Sequence, residues 1–180
     1  MLVKVFGAAV RGIDAIPVTI EARADVGIGF TVVGLPDASV KESQERVLSS
    51  LKQHGYDIPR RKIVINMAPA DVKKEGAAYD LPLAVAILAA SERIEAGSLD
   101  KYLVMGELSL DGSVCPVKGI LPMAVMARTM GYRGMIVPEA NATEAAVVNR
   151  LQVYGVKNLA EAIAVVTDAP DAIAPTEVDT

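Results

Sequence analysis

The sequence predicts an α+β domain, a mixed sheet with helices packed on one face. Three observations predict it. Val18, Ile20 and Ala22 alternate with Thr19, Glu21 and Arg23, the period-2 signature of a half-buried strand. The segment from Asp80 to Glu92 is apolar all round, as a buried helix is. Strand-like segments precede, separate and follow the helix-like ones without strict alternation, which is the α+β pattern.

The elements follow in order. Val3 to Val10 reads as a strand, and Gly27-Ile28-Gly29 as a turn before Phe30 to Val33, so the start predicts a small antiparallel meander. Gly34-Leu35-Pro36 breaks that pattern. Ser39 and Glu42 stand at capping-box spacing, ahead of a stripe of Val40, Val47, Leu48 and Leu51. Gly55 and Pro59 end that helix, and Lys62 to Met67 alternates again. Asp80 is placed to cap the buried helix, with Pro82 tolerable in its first turn. Tyr102 to Leu110 reads as one strand, turned by Asp111-Gly112 into Ser113 to Cys115. Leu121 to Met130 is a helix ended by Gly131, and Met135 to Val137 a short strand. Asn141 with Glu144 and Asn158 with Glu161 predict two further helix starts, on either side of a strand over Leu151 to Tyr154. Residues 1–167 are expected to form one domain. Residues 168–180, with four acids, two prolines and no base, read as a solvated linker.

Composition excludes several classes. Of 180 residues, 52% are hydrophobic and 22% charged, which excludes disorder. Aromatics are 4%, so Ala, Val, Ile, Leu and seven Met must fill the core. The longest apolar run, Leu81 to Ala90, is about half of the ~20 residues a bilayer span needs. The first residues do not read as a signal peptide. With one Cys and one His, an internal disulfide and a Cys/His zinc site are excluded, and the reducing cytoplasm is the expected compartment. The net charge of −4 argues against a nucleic-acid-coating protein, but residues 41–74 hold eight bases against four acids.

Most motifs are weak. Gly7 to Gly12 has the gap of a phosphate loop, but Ile13-Asp14 follows where Lys-Ser is needed. Gly27-Ile28-Gly29 lacks the third Gly of a dinucleotide site. His54 sits at a helix end, where a His can complement the helix C-terminus, with no nucleophile beside it. Cys115 reads as core. Arg60-Arg61-Lys62 and Lys73-Lys74 flank one strand and are the candidate nucleic-acid contacts. Gly76, Ala77, Ala78 and Asp80 lie where a Gly loop enters the buried helix. Free amides at such a place favour anions, but the side chains offered supply little chemistry.

Four segments carry a resemblance. They are Phe30-Thr31-Val32-Val33-Gly34-Leu35-Pro36-Asp37, Ile65-Asn66-Met67-Ala68-Pro69-Ala70-Asp71, Lys74-Glu75-Gly76-Ala77-Ala78-Tyr79-Asp80-Leu81-Pro82 and Gly106-Glu107-Leu108-Ser109-Leu110-Asp111-Gly112. In this order, from about residue 2 to about 166, the chain resembles the N-terminal domain of the magnesium-chelatase-like AAA+ ATPases, the ComM/YifB family. That resemblance implies the ribosomal-protein-type α+β fold shared with the Lon protease catalytic domain. It also implies a following AAA+ module that binds ATP and magnesium, with no cofactor in this chain. The intact protein would be a homo-hexameric DNA motor linked to branch migration and natural transformation, with no membrane partner.

The Lon likeness supplies a chemical test. Aligned on Lys74-Glu75-Gly76, the Lon serine falls on Ala78. Aligned on Gly106-Glu107 and Pro116, the Lon lysine falls near Leu121, with Lys118 three residues away. A methyl group is no nucleophile and an isobutyl group accepts no proton. The expected chain is therefore non-catalytic, an aid to ring assembly or DNA contact. The alternatives are a Ser-Lys peptidase using a replacement group at Ser109, Lys118 or Lys74, a protein-docking module, and a chelatase subunit, for which no porphyrin or metal site is visible.

Overall fold

The computed structural model describes residues 1–57, 61–95 and 97–178. Two long strands, β1 (Leu2–Arg11) and β2 (Asp14–Val26), form an antiparallel ribbon. Val3 and Val5 pair with Ala22 and Ile20, and all four are buried, so one face of the ribbon is apolar as the alternation requires. β3 (Gly29–Val33) leads through α1 (Asp37–Gln53) to β4 (Arg61–Ala68).

Here the expected meander is corrected. β4 pairs antiparallel with β2, and β3 pairs parallel with β4, not with β2. A helix of 17 residues is long enough to serve as the crossover a parallel pair needs. The longer β4 takes the open edge of β2, and β3 becomes the edge strand. Gly34 makes the exit from β3 feasible. Its φ is +103°, and a Cβ there would stand 2.3 Å from the carbonyl oxygen of Met67.

A short turn of 3₁₀ helix (Gly76–Tyr79) runs directly into α2 (Asp80–Ala90), all of whose residues are buried. Then come β5 (Tyr102–Val104), β6 (Glu107–Leu108), β7 (Val114–Cys115), α3 (Ile120–Thr129), β8 (Gly134–Pro138), α4 (Glu139–Ala146), β9 (Gln152–Val156) and α5 (Leu159–Val166). Seven strands make one mixed sheet in the order β3-β4-β2-β1-β5-β8-β9, and β6 and β7 pair separately. The expected strand from Tyr102 to Leu110 is thus two strands in two sheets. Gly106 breaks it: its N–H donates to the Ala78 carbonyl, and its carbonyl accepts from the Leu81 N–H, each at 2.9 Å.

Helices flank the sheet on both faces rather than one. Gly7 lies against Tyr79, ahead of α2, whereas Phe6 points the other way, onto Tyr132 beyond α3. The helix starts split into two groups. Asn158 caps α5 as expected, accepting from the Glu161 N–H at 3.0 Å, and Glu161 accepts from the Lys157 N–H. By contrast α1 begins after Pro36 and α4 after Pro138, with no side-chain cap at either. Proline fixes the entry geometry instead. Asn141 is released to clamp both the N–H and the carbonyl of Val117.

Beyond α5 the chain is irregular. Ala172 and Ile173 nevertheless pack on the core, and the Thr176 N–H donates to the Val153 carbonyl, so the start of the acidic tail lies along β9. Among the described residues, no helix is long and apolar enough to cross a membrane.

Candidate functional site

Of the predicted DNA-contacting residues, Arg61 and Lys62 begin β4 and are exposed, while Arg60 lies outside the described residues. Lys73 is exposed beyond the other end of β4. An eight-residue strand at ~3.3 Å per residue separates the two basic groups by roughly 25 Å, so they do not form one patch. Lys74 leaves the set altogether. It is 7% exposed, and its Nζ donates to the carbonyls of Pro69, Val72 and Gly34 at 2.5, 3.1 and 3.3 Å. All three of its protons are engaged, so it tethers the loop after β4 to the exit of β3. Burial pushes its ammonium below the usual lysine range.

The residues at the start of α2 also separate. Gly76 packs on Ser39 of α1, where a Cβ would stand 2.9 Å from the Ser39 Cβ. Asp80 does not cap α2; Tyr79 holds the cap position without a side-chain bond. Instead the fully buried Asp80 carboxylate faces α1 and β6. It accepts from Ser43 Oγ at 2.6 Å, Arg46 Nε at 2.6 Å and the Leu108 N–H at 3.1 Å. Burial raises the Asp80 carboxyl, against the pull of these donors, and the carboxylate in turn raises the Arg46 guanidinium. Sequence reasoning missed Ser43 and Arg46. Their signal was three-residue spacing on one face of α1, next to its apolar stripe.

Ala78 lines a cavity of about 240 Å³. Its walls are mostly small or apolar, including Ala8, Ala9, Met105 and Met123, with Lys73, Glu75 and Lys118 also lining it. Tyr79, buried and with its phenol pushed well up by burial, donates to the Ala8 carbonyl at 2.8 Å. Two of the amides at this helix start are occupied. The Ala78 N–H donates to the Glu75 carbonyl and the Leu81 N–H to the Gly106 carbonyl. Leu121 does not reach this cavity. It is 38% exposed and lines a separate groove with Ile13, Asp14 and Val125. Two lysines, Lys73 and Lys118, line the cavity with Ala78, whereas Leu121, the aligned position, lies outside it.

The other singled-out side chains are structural. His54 ends α1 under the β6–β7 turn, and a Cβ on Gly112 would meet its Nε2 at 2.2 Å. Cys115 is half-buried rather than core, its Sγ 3.1 Å from Ser109 Oγ. Among the described residues no three His, Cys, Asp or Glu side chains group as a metal site.

Comparison with known proteins places this geometry. A family model described as subunit ChlI of Mg-chelatase matches residues 20–141. The YifB protein of Salmonella typhimurium is 46% identical over 143 residues, covering 79% of this chain and 28% of its own. Competence protein ComM of Haemophilus influenzae is 39% identical over 163 residues, covering 90% of this chain and 32% of its own. Lon protease 2 of Bacillus subtilis is 31% identical over 102 residues, 56% of this chain and 18% of its own. The fold is therefore a mixed-sheet domain with Lon-like similarity, bearing a methyl group at residue 78. The chain belongs to the magnesium-chelatase-like family, with YifB and ComM as homologues. It spans about a third of the length of these curated relatives.

Proposed function

We propose that this chain is a non-catalytic domain of a magnesium-chelatase-like AAA+ ATPase, serving ring assembly and DNA contact. One observation carries the non-catalytic reading: the cavity lined by Ala78 presents a methyl group where the Lon likeness calls for a hydroxyl. The occupied amides of Ala78 and Leu81 support it, because acyl transfer needs free donors for the developing oxyanion. ATP and magnesium would bind in the AAA+ module of the longer protein, and the ring would be a homo-hexamer.

DNA contact is assigned to Arg61 and Lys62, two successive exposed bases at the start of β4. Fluorescence anisotropy with labelled forked DNA, across a salt series, tests it. Each phosphate neutralised contributes ~0.9 to the slope of log affinity on log salt. Changing Arg61→Ala and Lys62→Ala together should weaken binding and flatten that slope by about 2. Lys73→Ala, at the far end of the strand, should change little. Absence of binding at the lowest salt would remove DNA contact from this domain and leave assembly as its role.

A further inference from the structure

The sheet topology places bases together that the sequence keeps far apart. β1, β4, β5, β8 and β9 all run in one direction, because β1 and β4 are each antiparallel to β2, and β5, β8 and β9 continue parallel from β1. Their amino ends therefore share one end of the sheet. Each carries a base at or near its start: Arg61 and Lys62 on β4, Lys4 on β1, Lys101 before β5, Arg133 before β8 and Arg150 before β9.

Register makes this a row. Phe6 pairs with Leu103, which sets Lys4 level with Lys101. The Arg133 N–H donates to the Lys101 carbonyl, and the Gln152 N–H to the Arg133 carbonyl, so the row continues to the start of β9. At ~4.8 Å between neighbouring strands, the ends of β1 through β9 span about 14 Å. β4 is out of step with this row: Lys4 is level with Glu21 and Asn66, so Arg61 and Lys62 lie four to five residues beyond it.

The row borders an open groove of about 750 Å³ lined by Lys4, Lys101 and Arg133, with Asp100 as its acid. Phe6 and Tyr132 form an aromatic wall, their rings 5.7 Å apart. A second hollow shares Gly131 and Tyr132 with the first and adds Arg128 and Arg150. Arg128 is held there by Asn149 Oδ1 at 2.8 Å. Among the described residues, none of these bases makes an ion pair, whereas Arg23 on β2 is taken by Asp25. Glu21, level with Lys4 across the ribbon, accepts from Asn66.

We propose that this end of the sheet is a path for single-stranded nucleic acid, running from Lys4 past Lys101 and Arg133 to Arg150. A row of cations for the backbone beside an aromatic wall for the bases is the chemistry that single strands require. An acidic peptide would use the cations and leave the aromatics idle. The inference rests on the DNA-contact reading and extends it to a surface far from β4 in sequence.

The test is anisotropy of a labelled 20-nucleotide single strand on this chain, over a salt series, with polyglutamate as competitor. Relative to the unaltered chain, Lys4→Ala, Lys101→Ala and Arg133→Ala combined should lower affinity at least about tenfold at low salt. The same change should reduce the salt slope by about 2, at ~0.7 per phosphate. The exchange Lys4→Arg, Lys101→Arg and Arg133→Lys should restore binding, and Tyr132→Ala should weaken it with the slope unchanged. Far-UV circular dichroism of each variant checks that it is folded. Single-strand binding lost in Arg61→Ala, Lys62→Ala but intact in the Lys4, Lys101 and Arg133 variant would overturn this path and keep the β4 contact. Displacement by equal charge of polyglutamate would also overturn it. No binding of any DNA by the unaltered chain would overturn both readings.

Discussion

Lys74 and Asp80 have opposite charges and similar positions: both are buried, and both are held by three different partners. Each joins segments that lie apart in the chain. Lys74→Met would leave three carbonyls without their donor, and unsatisfied buried polar groups cost ~1–3 kcal/mol each at most. The expected loss is about 2–3 kcal/mol in urea unfolding, with DNA affinity of the folded variant unchanged. A variant of full stability and lost DNA binding would return Lys74 to the contact set. Arg46→Ala removes the main partner of a fully buried carboxylate, an effect of about 3 kcal/mol at pH 7. Its pH dependence has a definite sign. Without Arg46 the folded Asp80 carboxyl rises further above its unfolded value of 3.8, so the native variant binds a proton that the unfolded chain releases. The deficit against the unaltered chain should therefore shrink as pH falls toward about 4 and be largest at neutral pH. A deficit that is flat from pH 7 to pH 4 would show that Asp80 stays ionised.

At the scale of the element, α2 is the core piece on which α1, the ribbon and β6 pack. Its eleven residues are all buried, so it has no solvent-facing stripe to spare. Leu83→Ala or Ile87→Ala should each cost about 2–5 kcal/mol, read from the denaturation midpoint at constant slope. A loss below 1 kcal/mol would mean that the helix repacks. This helix was legible in the sequence because no polar residue interrupts its apolar run. The β1–β2 ribbon was legible because alternation survives burial on one face. Less was legible where two local signals competed. Ser39 with Glu42 and Asn141 with Glu144 have cap spacing, but Pro36 and Pro138 start those helices earlier. The strand from Tyr102 to Leu110 reads as continuous because nothing local reports that Gly106 bonds to residues 25 or more positions away. Pairing of β3 with β4 rather than β2 is likewise a tertiary choice that alternation does not encode.

The candidate site shows the same limit at the scale of the molecule. The sequence marked Ala78 as the position without a nucleophile, and the structure sets it in a cavity. It offered Lys118 only as a replacement group three residues from the aligned Leu121, and the structure sets Lys118 on that cavity together with Lys73. The basic end of the sheet was half legible: Arg61 and Lys62 adjoin in sequence, whereas Lys4, Lys101 and Arg133 meet only through parallel pairing. A chain of net charge −4 that gathers bases at one end is polarised rather than uniformly repelled by DNA.

The central claim is that this domain binds and does not cleave. The most direct measurement is turnover of fluorescent casein, with labelling by a hydroxyl-directed fluorophosphonate, for the unaltered chain, Ala78→Ser and Lys118→Ala. The unaltered chain should show no turnover and no labelling. Ala78→Ser should show none either, because the Ala78 and Leu81 amides are already bonded to Glu75 and Gly106. Cleavage by the unaltered chain, abolished by Lys118→Ala, would contradict that claim and make the cavity an active site.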